Sequence, residues 1–296
     1  MVLKRQKGLF GREAGQVLLI VMLVVIVGLA VGLPLATRII TGVRTSTEEA
    51  ESQKALAAAE AGIEKTIQGN VPVSGNTITV LDSEGKTNSK YKTTVTQTSG
   101  STFPINGGNI IPKDEGADVW IVSHDANNNP VYSEAKSISF LNLYWGSGAE
   151  DCSTSTTAPA AIEVIVVSRN SASDIRSYRY TYDSCNRGNN FKMADTGSYS
   201  LPGITGTFNH RTSPQNDLAG GINNIVFMRA IPIYKDAVIA VSACDFGGNN
   251  CTSLSTQGYA ISSIGTSGQA NRKLTVFKGW PQAYLPYLSY GLFVAN

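Results

Sequence analysis

Histidines, the side chains that titrate nearest to neutral pH, are few and far apart in this sequence. His124 and His210 are its two histidines; Asp125 follows the first beside a predicted hairpin turn, and the second lies in a polar segment predicted as a loop. Serines are abundant, but no Gly-x-Ser-x-Gly elbow exposes one as a nucleophile. No glycine-rich phosphate loop ending in Lys-Ser or Lys-Thr occurs either. We therefore expect a protein that is not an enzyme and has no cofactor.

A calcium loop is the metal site that the sequence comes nearest to. The run from Asp125 to Asn129 has the alternating oxygen ligands of such a loop. However, Pro130 stands where the tight turn needs glycine, and Lys136 stands where a bidentate Glu belongs. A β-turn explains the run better. Asp245 and Asn249 are a weaker ion-binding pair, so no metal site is predicted.

The four cysteines predict two disulfides rather than a metal site. Their spacing includes no Cys-x-x-Cys pair, and neither histidine lies beside them. An even number of cysteines in an exported chain is typical of disulfides. Of the three connectivities, we favour Cys152–Cys185 and Cys244–Cys251, with free thiols in a reducing compartment as the alternative.

Aromatic residues are the candidates for ligand binding. Exposed aromatics could hold a glycan, and the candidates are Trp120, Trp145, Trp280, Tyr284, Tyr287, Tyr290 and Phe293. The alternative, which we favour, is that the tryptophans pack in the core. A net charge of +2, with 16% charged residues and no basic block after the N-terminus, gives no clear nucleic-acid signal.

The N-terminal region is the most informative part of the chain. An uncharged apolar run, Val17 to Leu35, follows a leader that contains Lys4, Arg5, Lys7 and Arg12. A helix of this length spans the roughly 30 Å hydrocarbon core of a bilayer. The basic leader predicts that the N-terminus faces the cytoplasm and the rest of the chain lies outside. A cleaved signal peptide is the alternative, but the apolar run is longer than such peptides have.

The junction Gly15-Gln16, followed at once by the apolar run, resembles that of type IV pilins and pseudopilins. The segment Ala58 to Glu64, Ala-Ala-Glu-Ala-Gly-Ile-Glu, is similar to the N-terminal helix of PilX-type minor pilins. The resemblance covers about residues 8–68. It implies cleavage after Gly15 by a prepilin peptidase, a mature start at Gln16, and other pilin-like subunits as partners of the helix.

One position departs from the family pattern. Most pilins carry Glu at the fifth mature residue, where this chain has Ile20. In the family, subunits without this Glu are typical of the fibre tip, which favours a minor, tip or initiator subunit.

The same segment predicts one long helix with a packing face. Gly28, Gly32 and Ala36 recur every four residues, a spacing that lets membrane helices approach closely, although glycine is also common in such helices. A helix from Gln16 to Gln68 would be roughly 80 Å long. An apolar stripe is predicted along it (Ile39, Val43, Ala50, Leu56, Ala59, Ile63 and Ile67). Gly69 and Pro72 end the helix.

The remaining residues predict an antiparallel, β-rich head. Strands are predicted at Asn76–Leu81, Tyr91–Thr98, Asp118–Ser123, Val131–Leu143, Ala161–Ser168, Ile175–Tyr182, Asn224–Ala230, Ala237–Ala243, Gly258–Ser263 and Arg272–Phe277. The fold class is therefore α+β. The domains are a basic leader (1–15), a transmembrane and extended helix (16–69) and a head (70–296), with a subdomain boundary possible near 146–160.

Two functions remain open at this stage. The first is a structural, non-enzymatic, pilin-like minor subunit of a pilus or pseudopilus, held in the inner membrane until it is assembled. The second is a single-pass membrane-anchored surface protein whose head binds a glycan or protein and which is not assembled into a fibre. In both, the head lies outside the cytoplasm, at the cell surface after assembly in the first.

Overall fold

A computed structural model describes residues 14–69, 77–81, 87–148, 150–154, 156–217 and 221–283. They form one long helix and a β-rich antiparallel domain, which confirms the α+β class. They divide into two compact units. The first, the helix unit, comprises the described parts of 1–62, 76–92 and 263–274. The second, the head unit, comprises those of 63–75, 93–262 and 275–296.

Helix α1 runs from Ala14 to Gln68 without interruption. Its first part is the apolar run, and its second part is rich in Ala, Glu and Lys, which have high helix propensity. Gly69 follows the last residue, and its amide donates to the Lys65 carbonyl at 3.1 Å, so the helix ends where the sequence predicts. At 1.5 Å per residue, α1 is about 80 Å long.

Fourteen strands are present in the part of the chain that the structure describes. They are β1 Thr77–Leu81, β2 Thr87–Gly100, β3 Thr102–Pro104, β4 Ala117–Trp120, β5 Asn142–Trp145, β6 Ala161–Arg169, β7 Ile175–Asp183, β8 Lys192–Met193, β9 Asp195–Ser200, β10 Thr207–Thr212, β11 Ile225–Ile233, β12 Ile239–Ser242, β13 Leu254–Ser267 and β14 Ala270–Gly279.

The strands form three sheets. One has the order β1-β2-β13-β14 and includes residues of both units. The other two, β3-β12-β5-β10-β9 and β4-β11-β6-β7-β8, lie in the head unit. Within these two sheets, the pairing is antiparallel except between β7 and β8.

The two five-stranded sheets of the head unit pack face to face. Leu143 and Trp145 of β5 share one core cluster with Val164 of β6 and Met228 of β11, and all four are fully buried. Strand β6 is buried on both faces, since Ile165 and its neighbours on the other face join a second cluster. The outer face of the β4-β11-β6-β7-β8 sheet is therefore partly covered, by residues that include Trp280 and Ala283. The candidate binding site lies on this face.

One predicted strand is wrong. Val131–Leu143 was expected to be extended, but Tyr132–Glu134 forms a turn of 3-10 helix and β5 begins at Asn142. Ile138 and Leu141 are both fully buried although they are three residues apart, which a period of two does not allow. The extended stretch is replaced by a single bridge between Lys136 and Ile225.

Strands β3, β8, β9 and β10 were missed. Strand β9 and strand β10 are rich in Ser, Thr, Gly and Asn, and most of the β9 side chains are exposed, so neither has a clear alternation of apolar residues. The prediction that His210 lies in a loop is also wrong, because His210 lies in strand β10, opposite Trp145.

The predicted apolar stripe of α1 is correct at Ala59 and Ile63 and wrong at Leu56. Leu56 is 41% exposed, whereas Ala55 and Ala58 are buried. Small residues replace the expected leucine because a strand backbone approaches the helix at this level, as described below.

Candidate functional site

The predicted processing site lies at the beginning of the described chain. Residues 1–13 of the leader lie outside the described residues. Gly15 and Gln16 are in the first turn of α1, which begins at Ala14. Cleavage after Gly15 thus stays a prediction.

The first half of α1 is an exposed apolar surface. Every residue from Val17 to Ala50 is exposed. A methyl group added at Gly28 or Gly32 would meet nothing within 4 Å, and Ala36 on the same face is also exposed. Among the described residues, one helix, α1, is both long enough and apolar enough to cross a membrane. Packing through this face stays a prediction.

The second half of α1 contacts strand backbone within the helix unit. A Cβ added at Gly265 of β13 would clash with the Ala55 carbonyl oxygen and would lie 2.6 Å from the Ala59 amide nitrogen. The turn between β13 and β14 is held to the helix by polar contacts. The Gln269 amide donates to Glu51 Oε2 at 3.1 Å, and Arg272 Nε donates to the Ser52 hydroxyl at 2.8 Å.

Both favoured disulfides are present. Cys152 is joined to Cys185, and Cys244 to Cys251. Such bonds persist in oxidising compartments, so the head has the covalent chemistry of an extracytoplasmic domain.

The two acidic loops use their carboxylates to hold the backbone. Asp125 Oδ1 accepts the amides of Asn127 and Asn129 at 2.8 and 2.9 Å, and Asp245 Oδ1 accepts those of Gly247 and Asn249 at 3.0 and 2.7 Å. These bonds, led in each loop by the one from the Asn amide, lower the pKa of both carboxyl groups. The β-turn expected at Asp125 is present. No cluster of three metal-ligating side chains occurs among the described residues.

His210 is a buried residue of strand β10. His210 is 5% exposed, and neither of its ring nitrogens has a hydrogen-bond partner within the described residues. Burial lowers its pKa, although Glu150 and Asp183 act in the opposite direction. Its ring lies 5.8 Å from that of Trp145. Among the described residues, no serine hydroxyl is bonded to it.

His124 belongs to an aromatic cluster on the outer face of the β4-β11-β6-β7-β8 sheet. Its ring stacks on Trp280 at 4.5 Å between centroids, with 13° between the planes. Trp120 meets it edge-on at 4.5 Å, and Phe227 lies 5.0 Å from Trp120. Desolvation lowers the pKa of His124 more than Asp125 raises it, so the imidazole is uncharged at neutral pH.

The three tryptophans separate into two groups. Trp120 and Trp145 are 4% and 0% exposed, so they pack in the core as the favoured alternative predicted. Trp280 is half-buried and lines a cavity of about 490 Å³ with His124, Asp125, Thr256, Tyr259 and Lys278. The aromatic tail candidates Tyr284, Tyr287, Tyr290 and Phe293 lie outside the described residues.

Sequence reasoning missed Tyr259, Thr256 and Lys278 as members of this cavity. They lie on β13 and β14, and His124 lies in the loop after β4. Only the fold brings these elements together, since no local motif links them.

Comparison with known proteins adds no neighbour. No family model, curated protein or solved structure matches this chain. Its function is therefore argued from its own residues.

Proposed function

We propose that this chain is a type IV pilin-like minor subunit, stored in the inner membrane as a single-pass protein and assembled as a tip or initiator subunit of a pilus or pseudopilus. The observation that carries the proposal is the division of α1 into two halves. The half from Val17 to Ala50 is exposed and apolar at its start. In the second half, Ala55, Ala58 and Ala59 are buried, and the backbone of β13 approaches the helix at Ala55 and Ala59.

This division fits a subunit that exchanges lipid for neighbouring helices. The large apolar side chains from Val17 to Val43 are 53–71% exposed. An apolar surface of this size is unfavourable in water and is typical of a membrane or protein contact. A bilayer or a bundle of similar helices covers such a surface equally well. The small residues Gly28, Gly32 and Ala36 leave that face open for close contact with another helix.

The rest of the chain supports export and a minor role. Two disulfides and the low charge of the head suit an extracytoplasmic compartment. Ile20 leaves the fifth mature position without a carboxylate, so this subunit offers no side chain there to neutralise the N-terminal amine of a subunit above it. A position at which such pairing is unnecessary, at the tip, follows from that absence.

The experiment is a comparison of N-terminal processing in three chains expressed with a prepilin peptidase. The wild-type chain, Gly15→Val and the matched leader variant Gly11→Val are recovered from membranes and from the sheared surface fraction. Intact mass and the N-terminal peptide are then measured.

We expect the wild-type and Gly11→Val chains to begin at Gln16, to be N-methylated and to occur in the sheared fraction. Gly15→Val should begin at Met1 and stay in the membrane. A wild-type chain that begins at Met1 and occurs only in membranes would contradict the proposal and leave a fixed anchor with a binding head.

A further inference from the structure

The cavity between the Asp125 loop and Trp280 has the features of a ligand site. We propose that it binds an uncharged saccharide. We call it the Trp280 cleft, and it is lined by Ser123, His124, Asp125, Thr256, Tyr259, Lys278 and Trp280 among others. Its volume of about 490 Å³ falls within the range of small-molecule sites. A second cavity of about 240 Å³ adjoins it, shares His124, Asn128 and Pro281 with it, and gives room for a further sugar unit.

The aromatic wall of the cleft is rigid before any ligand arrives. Trp280 Nε1 donates to the Thr256 carbonyl at 2.5 Å, which fixes the indole in its plane. His124 stacks on one side of the indole, and Tyr259 meets it edge-on at 5.9 Å. Rigid aromatic rings give contact area at a low cost in conformational entropy. The apolar C–H face of a pyranose is a ligand that such rings can contact.

The cleft is also lined by two charged side chains, those of Asp125 and Lys278. Asp125 uses Oδ1 for the amides of its own loop, and its Oδ2 has one long contact of 3.5 Å to the Asn129 side chain. Lys278 Nζ donates to the Ile67 carbonyl at 3.2 Å, which leaves further hydrogens on the ammonium. A carboxylate acceptor and an ammonium donor together can bind the hydroxyl groups of a sugar edge.

The charges of the cleft favour an uncharged ligand. Asp125 is ionised, because its backbone hydrogen bonds lower its pKa, and Lys278 carries the opposite charge. His124 is neutral, because burial lowers its pKa. The lining therefore has no excess charge with which to bind a phosphate or a strongly cationic peptide.

This inference goes beyond fibre assembly, because it concerns the head unit alone and does not depend on how the N-terminus is processed. A chain that fails the processing experiment can still bind a sugar, and a processed subunit can still lack this activity.

The test uses the full chain in a detergent without a sugar headgroup, such as an alkyl phosphocholine. The probes are four uncharged disaccharides: maltose, cellobiose, lactose and N,N′-diacetylchitobiose. Binding is measured by saturation-transfer NMR and by tryptophan fluorescence at up to about 10 mM probe, which detects millimolar affinity.

The variants separate the cleft from the rest of the surface. Trp280→Ala removes the wall, and Trp280→Phe keeps an aromatic ring there. Tyr259→Leu removes a ring but keeps apolar volume, and so guards against a folding defect in Trp280→Ala, because Trp280 packs against a core cluster. Phe246→Ala is the matched control, because Phe246 is a 51% exposed aromatic that contacts Arg211 and does not line the cleft.

We expect at least one probe to bind, with about tenfold weaker binding in Trp280→Ala and Tyr259→Leu. Trp280→Phe should retain most of the affinity, and Phe246→Ala all of it. The proposal is overturned if none of the four probes binds to the folded wild-type chain. It is equally overturned if binding is unchanged in both cleft variants.

Discussion

At the scale of single residues, one buried ion pair supports the face on which the Trp280 cleft lies. Arg229 and Asp118 form a two-pronged pair, with N–O distances of 2.6 and 2.9 Å, and their side chains are 8% and 3% exposed. Both groups also bind the backbone of Ala283, three residues after Trp280. The pair therefore holds the end of the segment that carries the indole.

Removing one partner of this pair should be costly. Arg229→Met leaves the Asp118 carboxylate buried without its cation, and the free energy of unfolding should fall by about 3–5 kcal/mol. The control is Arg176→Met, which breaks an ion pair with Asp174 whose side chains are 59% and 37% exposed. That change should cost much less than Arg229→Met does, because water screens an exposed pair. Urea unfolding followed by tryptophan fluorescence compares them, and equal losses would contradict the argument.

His210 should make the head less stable in acid. Its pKa in the folded chain is below the ordinary value of 6.5, so below that pH the unfolded chain binds more protons than the folded one. Stability should thus fall as pH decreases through about 6.5. His124 contributes in the same direction.

The His210→Gln variant separates the contribution of this residue. Its melting temperature should decrease less than that of the wild type between about pH 8 and about pH 5, because the group that titrates has been removed. His124→Gln, measured in parallel, gives the part that belongs to the half-buried His124. An unchanged pH dependence in His210→Gln would show that His210 keeps its ordinary pKa.

At the scale of elements, the contact between α1 and β13 depends on the absence of a side chain at Gly265. A methyl group there would clash with the Ala55 carbonyl oxygen. Gly265→Ala should push the strand from the helix, with a loss of about 1–3 kcal/mol, and should increase amide exchange in residues 51–62. Gly42→Ala is the control, because Gly42 lies on α1 and a methyl group added there would meet no atom within 4 Å.

Hydrogen exchange followed by mass spectrometry measures both variants. Gly42→Ala should keep or raise protection, since alanine has a higher helix propensity than glycine. If Gly265→Ala exchanges as the wild type does in residues 51–62, the close approach of strand to helix is wrong.

Elements determined by local signals could be predicted, and those determined by packing could not. The helix and its end at Gln68 follow from the apolar run and from Gly69, which act within a few residues. The buried stripe could not be placed, because the strand at Gly265 approaches the helix at the small Ala55 and Ala59 and leaves the larger Leu56 exposed. That approach depends on a strand from the far end of the chain.

The candidate site shows the same limit. The aromatic type of Trp280 makes it one of several candidates for ligand binding, although core packing is favoured for the tryptophans, and the Asn-rich sequence predicts the turn at Asp125. Their meeting around His124 could not be read from the sequence, because it results from the pairing of β4 with β11 and from the return of the chain along β14. Trp120 and Trp145, of the same residue type, are core residues.

At the scale of the whole molecule, the apolar half of α1 makes no contribution to the buried interior. The buried residues of α1 begin at Ala55, and every residue from Val17 to Ala50 is exposed. Burial is what gives a hydrophobic side chain its stabilising effect. The solubility of the chain and the stability of its fold should therefore depend on different parts of the sequence.

A chain that begins at Thr45 separates these two properties. It keeps every buried residue of α1, so its melting temperature should lie within about 2 °C of that of the full chain in the same micelle solution, a smaller change than 1 kcal/mol would cause. It should stay soluble when the detergent is removed, whereas the full chain should precipitate or enter vesicles. A decrease of more than about 4 °C would mean that the apolar half packs against the folded part. In that case, the division of α1 on which the fibre role depends would be wrong.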